Sequence, residues 1–262
     1  ITKLLKKRLF SSPQAFLLSL EQHEETLAKV KTAPAARKPA VGILRQQLEQ
    51  AEEDDTEYSG EDTDENSAAE ALLTASRLLR PLSARERELL KSLFAWARRE
   101  AAHKDSKTQR LIAWLKENIQ PGGKWSDERV VIFTEYRATL NWLQEQLALA
   151  GLGGSERLMT LYGGRKSDER EAIKAAFQAD PGISAVRILL ATDAASEGID
   201  LQNHCHRIVH IEIPWNPNRL EQRNGRLDRH GQKHNVQVYH FVAAGYKRVE
   251  RETWDVQGED LA

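Results

Sequence analysis

The second half of this 262-residue sequence predicts an α/β fold, a doubly wound parallel sheet with helices on both faces. Short runs rich in β-branched residues, starting with 129–134, alternate with helical patterns, starting with 139–150. The first of these runs is short, apolar and β-branched, as expected for a strand that is covered on both faces. Further strands are predicted at 158–162, 187–191, 208–213 and 236–242. A helix is predicted at 167–178, with Ser167 as its N-cap.

The first half of the sequence predicts helices around one poorly packed segment. A helix is expected over 1–30, with a break where Ser12 suits an N-cap and Pro13 suits a first turn. One buried face of this helix is predicted from apolar residues at helical spacing: Leu17, Leu20, Leu27 and Val30. Segment 31–66 has low hydrophobicity and blocks of like charge, which favour a flexible linker. Helices return at 68–80, 84–101 and 107–119.

These patterns divide the chain into a helical spacer at 1–120, an α/β lobe at 121–245 and a tail at 246–262. Charge is distributed unevenly over these parts. Eleven of the 39 acidic residues lie between Glu49 and Glu70, a stretch without Lys or Arg. The other 28 are outnumbered by 38 Lys and Arg, so the remainder can meet a polyanion. We interpret the acidic stretch as a solvated linker in preference to an autoinhibitory element.

Composition excludes several classes of protein. No stretch approaches the roughly 20 apolar residues of a membrane span, and the start has no secretory h-region. The single cysteine, Cys205, excludes an internal disulfide and fits a reducing compartment, so we expect a soluble, cytoplasmic protein. Because the sequence does not begin with Met, we expect it to start inside a longer protein.

No metal site is expected. The spacings of structural zinc sites are not found among the clustered candidates His204, Cys205, His206 and His210.

The strongest candidate site is an arginine cluster at 218–232. It contains Arg219, Arg223, Arg226 and Arg229 at helical spacings of four and three. Arg226 and Arg229 can project from one helix face toward a single point. Planar guanidinium groups suit the charge spread over transferring phosphate oxygens, and the acids within this run are too few to neutralise it. Gly225 would allow a nucleotide or another backbone segment to approach closely.

A second candidate segment runs from 190 to 201, where a strand leads into small and polar residues. Thr192 and the following amides can meet a phosphate at a strand-to-helix turn, or Thr192 can act as a helix cap. Asp200 can accept hydrogen bonds from a ribose, orient an arginine, or simply form a turn. Gly198 precedes it.

Taken together, these segments resemble superfamily-two helicases. The run Gln-Arg-Asn-Gly-Arg-Leu-Asp-Arg at 222–229 resembles the last helicase motif, and 192–200 resembles the motif before it. Residues 213–217 and 230–232 narrow the resemblance to the Swi/Snf-type branch. Residues 131–136, 161–164 and 167–170 are similar to earlier elements of that branch. Residues 9–15 are similar to the spacer of bacterial members, notably the ATPase that recycles RNA polymerase.

The resemblance implies a RecA-like second motor lobe with ATP and Mg²⁺ as cofactors. It implies that Arg226 and Arg229 are arginine fingers on the γ-phosphate, with Gln222, Gly198 and Asp200 at the nucleotide. It also implies that the nucleic-acid backbone is contacted by Thr134, Gly164, Arg165 and Thr192. Trp215 occupies the family's coupling position, with core packing as the alternative. The implied partners are double-stranded DNA and the first lobe of the same polypeptide, and a protein partner for the helical and acidic region is a further candidate. The implied location is the bacterial nucleoid.

The sequence lacks one motif that an ATPase of this kind requires. The sequence has no Gly-x-x-x-x-Gly-Lys-Ser/Thr phosphate loop, which an ATP site of this kind needs. We therefore expect the second lobe of an ATP-dependent double-stranded DNA translocase, inactive by itself. The alternatives are the lobe of a strand-separating DNA or RNA helicase and a non-catalytic lobe that binds nucleic acid or protein.

Overall fold

The computed structural model describes residues 2–32, 82–154, 156–193 and 199–242. The elements in these ranges, numbered in chain order, are helices α1 (Thr2–Ser11), α2 (Pro13–Thr32), α3 (Ala84–Ala101), α4 (Ser106–Asn118), α5 (Arg137–Leu149), α6 (Ser167–Gln178) and α7 (Pro217–Asn224), and strands β1 (Val130–Thr134), β2 (Leu158–Leu161), β3 (Ile188–Thr192), β4 (Arg207–His210) and β5 (Gln237–His240). A short 3₁₀ turn spans Pro121–Gly123. The predicted helix at 68–80, the acidic stretch and the predicted tail lie outside the described residues.

The five strands form one parallel sheet in the order β2-β3-β1-β4-β5. Thr134 at the end of β1 lies opposite Thr192 at the end of β3, and Phe133 lies opposite His210 of β4. The strands therefore end at a common border, which we call the carboxyl edge. The order places the first strand in the middle, as in doubly wound sheets. The predicted fold class, a doubly wound parallel sheet with helices on both faces and a helical region before it, is confirmed.

Helices cover both faces of the sheet, and alternate residues of β1 enter different cores. Val130 and Ile132 pack in a cluster with α4 and α5, whose Leu115 and Leu143 are fully or almost fully buried. Val131 and Phe133 pack on the other face with Ile173 and Phe177 of α6. This alternation follows from the two-residue period of a strand and explains why the strand is apolar along its whole length.

Helix α4 packs with the sheet, although the predicted domain boundary places it in the spacer. Its residues Leu111 and Leu115 stand one turn apart and lie in the same core cluster as β1. Helices α2 and α3 have a separate cluster, formed by Phe16, Leu17, Leu20, Phe94 and Ala97. This confirms the predicted burial of Leu17 and Leu20, while the side chains of Leu27 and Val30 lie outside the described part.

The predicted break after Ser11 forms an elbow between α1 and α2 that is bonded to the lobe. Ser12 caps α2, since its Oγ accepts a hydrogen bond from the Ala15 amide at 3.1 Å. The same hydroxyl lies 2.9 Å from Thr139 Oγ1 of α5. The Lys107 ammonium donates to the carbonyl oxygens of Phe10 at 2.6 Å and Ser11 at 2.8 Å. The elbow is therefore held against the α/β lobe by polar contacts.

The predicted N-cap of α6 is wrong by one residue. Lys166 has the extended backbone of an N-cap, and its side chain makes no capping hydrogen bond. Ser167 is already the first helical residue. Asp168 and Glu169 occupy the first turn as expected, and their charge favours the helix N-terminus.

We expect Leu143→Ala to lower the free energy of unfolding by about 2–5 kcal/mol, because it opens a cavity in a core where Leu143 is 1% exposed. The matched control is Leu149→Ala on the same helix, where the leucine is 76% exposed and the change should stay within about 0.5 kcal/mol. Urea unfolding of both variants measures the difference. Equal losses in the two variants would contradict the core described above.

Candidate functional site

Polar side chains gather at the carboxyl edge, where ligands of open α/β sheets bind. Thr134 ends β1, and Asp193 follows directly after β3. Glu212 comes two residues after β4, and α7 begins shortly afterwards. Asn216 caps α7 by accepting a hydrogen bond from the Asn218 amide at 3.0 Å, and Pro217 occupies the first helical position. The arginine helix thus starts beside the ends of three strands.

A buried ion pair joins α7 to the end of β3. Arg223 is 2% exposed, and its Nη2 donates to Asp193 Oδ2 at 2.7 Å while its Nε donates to Oδ1. Nη1 also donates to the Glu212 carbonyl at 3.1 Å. Burial alone would lower the pKa of Arg223, but the hydrogen bonds and charge of Asp193 raise it above its ordinary value. A bidentate contact of this kind fixes the orientation of the Arg223 guanidinium as well as its distance from Asp193.

His210 supports the same pair from the end of β4. Its ring is fully buried between Phe133 and His240, with ring centroids 6.1 and 4.9 Å away. Burial lowers the pKa of His210 to about 3, so the ring is neutral at physiological pH. Arg223 approaches Nδ1 at 3.5 Å as a donor, which leaves Nε2 to donate to Asn224 Oδ1 at 3.0 Å. Within the described ranges, no group of His, Cys, Asp or Glu is arranged to hold a metal ion.

Arg226 and Arg229 lie in the turn after α7, which ends at Asn224, and therefore not on one helix face as predicted. Two contacts with the 190–201 segment place them. The Leu201 amide donates to the Arg226 carbonyl at 3.1 Å, and Arg229 forms an ion pair with Asp200. Leu227 between them is fully buried in the core. Of the roles considered for Asp200, the structure therefore shows the orientation of an arginine.

Three of the four arginines pair with two acids of the 190–201 segment. Arg219 lies 3.7 Å from Asp193 and joins Arg223 there, while Arg229 pairs with Asp200. The cluster therefore meets acids from a distant segment, in addition to the few acids in its own run. Gly225 has an ordinary helical backbone, and a Cβ there would lie 3.2 Å from the Glu221 carbonyl. The atoms nearest to such a Cβ thus belong to the preceding turn of α7, and no other segment is among them.

The residues predicted to contact nucleic acid differ in exposure. The Thr134 hydroxyl is fully buried and donates to Glu212 Oε1 at 2.9 Å, so a phosphate could reach it only if that bond opened. Thr192 is equally buried, and its hydroxyl has no hydrogen-bond partner among the described residues. Gly164 has φ 79°, a left-handed backbone that favours glycine. Arg165 donates to Thr160 at 2.9 Å and to Glu169 at 3.2 Å.

The remaining predicted residues are exposed or outside the described ranges. Gln222 is exposed on α7, and Gly198 falls within the undescribed 194–198. Trp215 is 73% exposed, which argues against the core-packing alternative. The coupling role of Trp215 and the roles of the other site residues stay predictions.

Sequence reasoning missed Asp193 and Glu212, which organise the edge. Both are acids that follow a buried strand by one or two residues. That position was a usable signal, since polar side chains at strand ends converge at the edge where ligands bind.

Comparison with known proteins agrees with this geometry. Residues 107–231 match the family described as helicase conserved C-terminal domain. Over this segment, just under half of the chain, the sequence is therefore similar to helicase C-terminal domains. The match begins at α4, in agreement with the packing of that helix on the sheet.

Two relatives and one solved structure illustrate the likeness. An uncharacterized ATP-dependent helicase, YqhH of Bacillus subtilis, is 40% identical over 44% of this chain and 19% of its own length. The RNA polymerase-associated protein RapA of Vibrio cholerae is 31% identical over 49% of this chain and 12% of its own length. The C-terminal part of the Fun30 ATPase domain is 19% identical, covering 87% of this chain and 67% of that chain, with a TM-score of 0.44.

The relatives confirm the resemblance to Swi/Snf-type helicases that the motifs predict. This chain spans less than a fifth of the length of these two curated relatives. Among the helices that the structure describes, none combines the length and apolar character needed to cross a membrane.

We expect Asp193→Ala to lower the free energy of unfolding by about 3–5 kcal/mol, because it leaves the buried Arg223 charge unpaired. Asp127→Ala is the matched control: Asp127 also pairs with a buried arginine, Arg187, but is itself 86% exposed, so its loss should cost about 0–1 kcal/mol. Denaturant unfolding of both variants gives the two costs. A small and equal effect would show that the Asp193 pair does not hold α7.

Proposed function

We propose that this chain is the second motor lobe of an ATP-dependent translocase on double-stranded DNA. The observation that carries the proposal is the contact of the Arg226 and Arg229 turn with Asp200 and Leu201: the Leu201 amide holds the Arg226 carbonyl, and Asp200 pairs with Arg229. This arrangement lies within the segment 107–231 that is similar to helicase C-terminal domains. We place the protein in the cytoplasm, on the nucleoid DNA.

In this proposal the chain supplies cations to a nucleotide that the first lobe holds. Gln222 is exposed on α7, and Arg229 is 44% exposed in the following turn, so both can meet a ligand from outside the lobe. Arg226 and Arg229 stabilise the charge that develops on the γ-phosphate, an effect worth about 10³–10⁵ in rate in phosphoryl transfer. Asp200 orients the Arg229 guanidinium before the nucleotide arrives.

Magnesium ligands are assigned to the first lobe, since the described residues hold no acidic or histidine cluster suited to a metal. The ion would neutralise phosphate charge during transfer. Asp193 is paired with Arg223 and Asp200 with Arg229, so the two carboxylates nearest the arginines already have cationic partners. The contribution of this chain is therefore cationic.

The nucleic acid is proposed to lie along the same edge. The turn at Gly164 and Arg165 follows β2, and Thr134 and Thr192 end the two neighbouring strands. Contacts of this type go to phosphates, so binding is expected to depend on salt and little on sequence. Trp215, exposed between β4 and α7, is proposed to couple nucleotide state to movement. The helical region is proposed to offer a surface for a protein partner.

We expect the isolated 262-residue chain to show no ATP hydrolysis, because its sequence has no phosphate-binding loop. The measurement is phosphate release with double-stranded DNA, single-stranded DNA or RNA, compared with the full-length protein. Preferential stimulation of the full-length protein by duplex DNA, without strand separation, supports the translocase. Unwinding of a labelled duplex favours the strand-separating alternative, and robust hydrolysis by the isolated chain contradicts the division of labour.

In the full-length protein, Arg226→Ala should reduce ATP turnover by at least about 10³-fold, because a cation on the transferring phosphate is lost. Duplex affinity should change little, since Arg226 is not placed in the nucleic-acid path. Lys233→Ala removes an exposed cation beyond the turn and serves as the control with unchanged turnover. Steady-state hydrolysis and fluorescence anisotropy give the two readouts. Normal turnover in Arg226→Ala would remove Arg226 from the site.

A further inference from the structure

Three aromatic residues follow strands at the carboxyl edge, and each lies against a cation. Tyr162 follows β2 directly, Tyr136 comes two residues after β1, and Trp215 comes five residues after β4. Neither tyrosine is among the residues assigned to nucleotide or nucleic acid above. We call the cations on these rings the cation row: Lys7, Arg8, Arg137 and Arg165.

The contacts of the row are close. The Arg8 guanidinium carbon lies 3.9 Å from the centre of the Tyr136 ring. Arg137 and Arg165 lie 4.3 and 4.5 Å from the centre of the Tyr162 ring. The Lys7 ammonium lies 5.9 Å from the Trp215 ring. These distances fall within the range of about 6 Å for cation–π attraction. The rings thus hold the charged groups in defined positions along the edge.

The strand order gives the row a direction and a length. Because the order is β2-β3-β1-β4, the strands that precede Tyr162 and Trp215 are three strand spacings apart. At about 4.8 Å per spacing, this is about 14 Å along the edge. One strand of a duplex advances about 3.4 Å per nucleotide along its axis, so this separation corresponds to about four nucleotide steps. A linear series of cations at this scale suits a sugar-phosphate backbone.

Two of the four cations come from α1, which lies outside the matched helicase domain. Helix α1 has three lysines and one arginine and no acidic residue. Its end is fixed to the lobe, because the Ser11 hydroxyl donates to Glu212 and Lys107 holds the Ser11 carbonyl at 2.8 Å. The helix is therefore positioned at the edge by several independent contacts, and its cations have a fixed relation to Arg137 and Arg165.

We propose that α1 is part of the nucleic-acid interface, with Lys7 and Arg8 contacting backbone phosphates in line with Arg137 and Arg165. This inference rests on the proposed function, since it extends the same track. The helical region then has a direct role in binding the track, beyond that of a spacer. The occupant is a phosphate backbone, because the rings follow strands that lie in order along one edge and the row includes Arg165 of the turn at Gly164.

The test measures the salt dependence of duplex binding by the full-length protein without nucleotide. The log of the binding constant falls with log salt concentration by about 0.9 per phosphate contact on duplex DNA. The Lys7→Ala, Arg8→Ala double variant should therefore lower the slope by about 1.8, equally for unrelated sequences. Lys6→Ala is the matched control, because Lys6 is an exposed cation of the same helix outside the row.

Two further variants keep the outcome decisive. Arg8→Lys retains the charge and loses the planar stacking, so it should keep the wild-type slope even if the fold around Tyr136 is weakened. Arg226→Ala should also keep the wild-type slope. If the double variant has the slope of wild type and Lys6→Ala, the proposal for α1 is overturned while the motor function stands. If the wild-type protein binds no nucleic acid at all, the proposed function fails.

Discussion

The arrangement of the candidate site depends on the buried ion pair between Asp193 and Arg223. Asp193 is fixed by its place directly after β3, so the bidentate contact fixes the rotation of α7 about its axis. That rotation decides which α7 residues face solvent, including Gln222, and where the turn with Arg226 begins. Buried ion pairs often contribute little net stability because desolvation opposes them. Such pairs have a larger effect on geometry than on stability, because moving one partner away leaves the other charge unpaired in the interior.

A second constraint is the shared use of Glu212 at the same edge. Its carboxylate accepts hydrogen bonds from Thr134 Oγ1 and the Glu135 amide, at 2.9 and 3.2 Å, and from the Ser11 hydroxyl. Burial and the charge of Glu212 raise the pKa of Glu135. Burial lowers the pKa of Lys107, while Glu212 opposes that shift. One carboxylate thus connects the end of β1 with the elbow of the helical region.

The sequence predicted what depends on local patterns. Helix 84–101 has the predicted bounds, and the β1 run was found because its apolar residues reflect burial on both faces. The functional arginines were identified by type and spacing. Their partners could not be identified in this way, because Asp193 and Arg223 are 30 residues apart and meet only through the sheet order. Arg8 and Tyr136, which are also in contact, are separated by an even longer stretch of sequence.

The 192–201 segment touches both parts of the proposed motor site. Asp193 holds Arg223, the Leu201 amide holds the Arg226 carbonyl, and Asp200 holds Arg229. Thr192 at its start lies opposite Thr134, at the edge assigned to the track. A ligand that displaces Asp193 would release Arg223, and one that displaces Asp200 would release Arg229, on the same run of arginines. Because coupling between two binding sites is reciprocal, nucleotide and nucleic acid would then alter each other's affinity by the same factor.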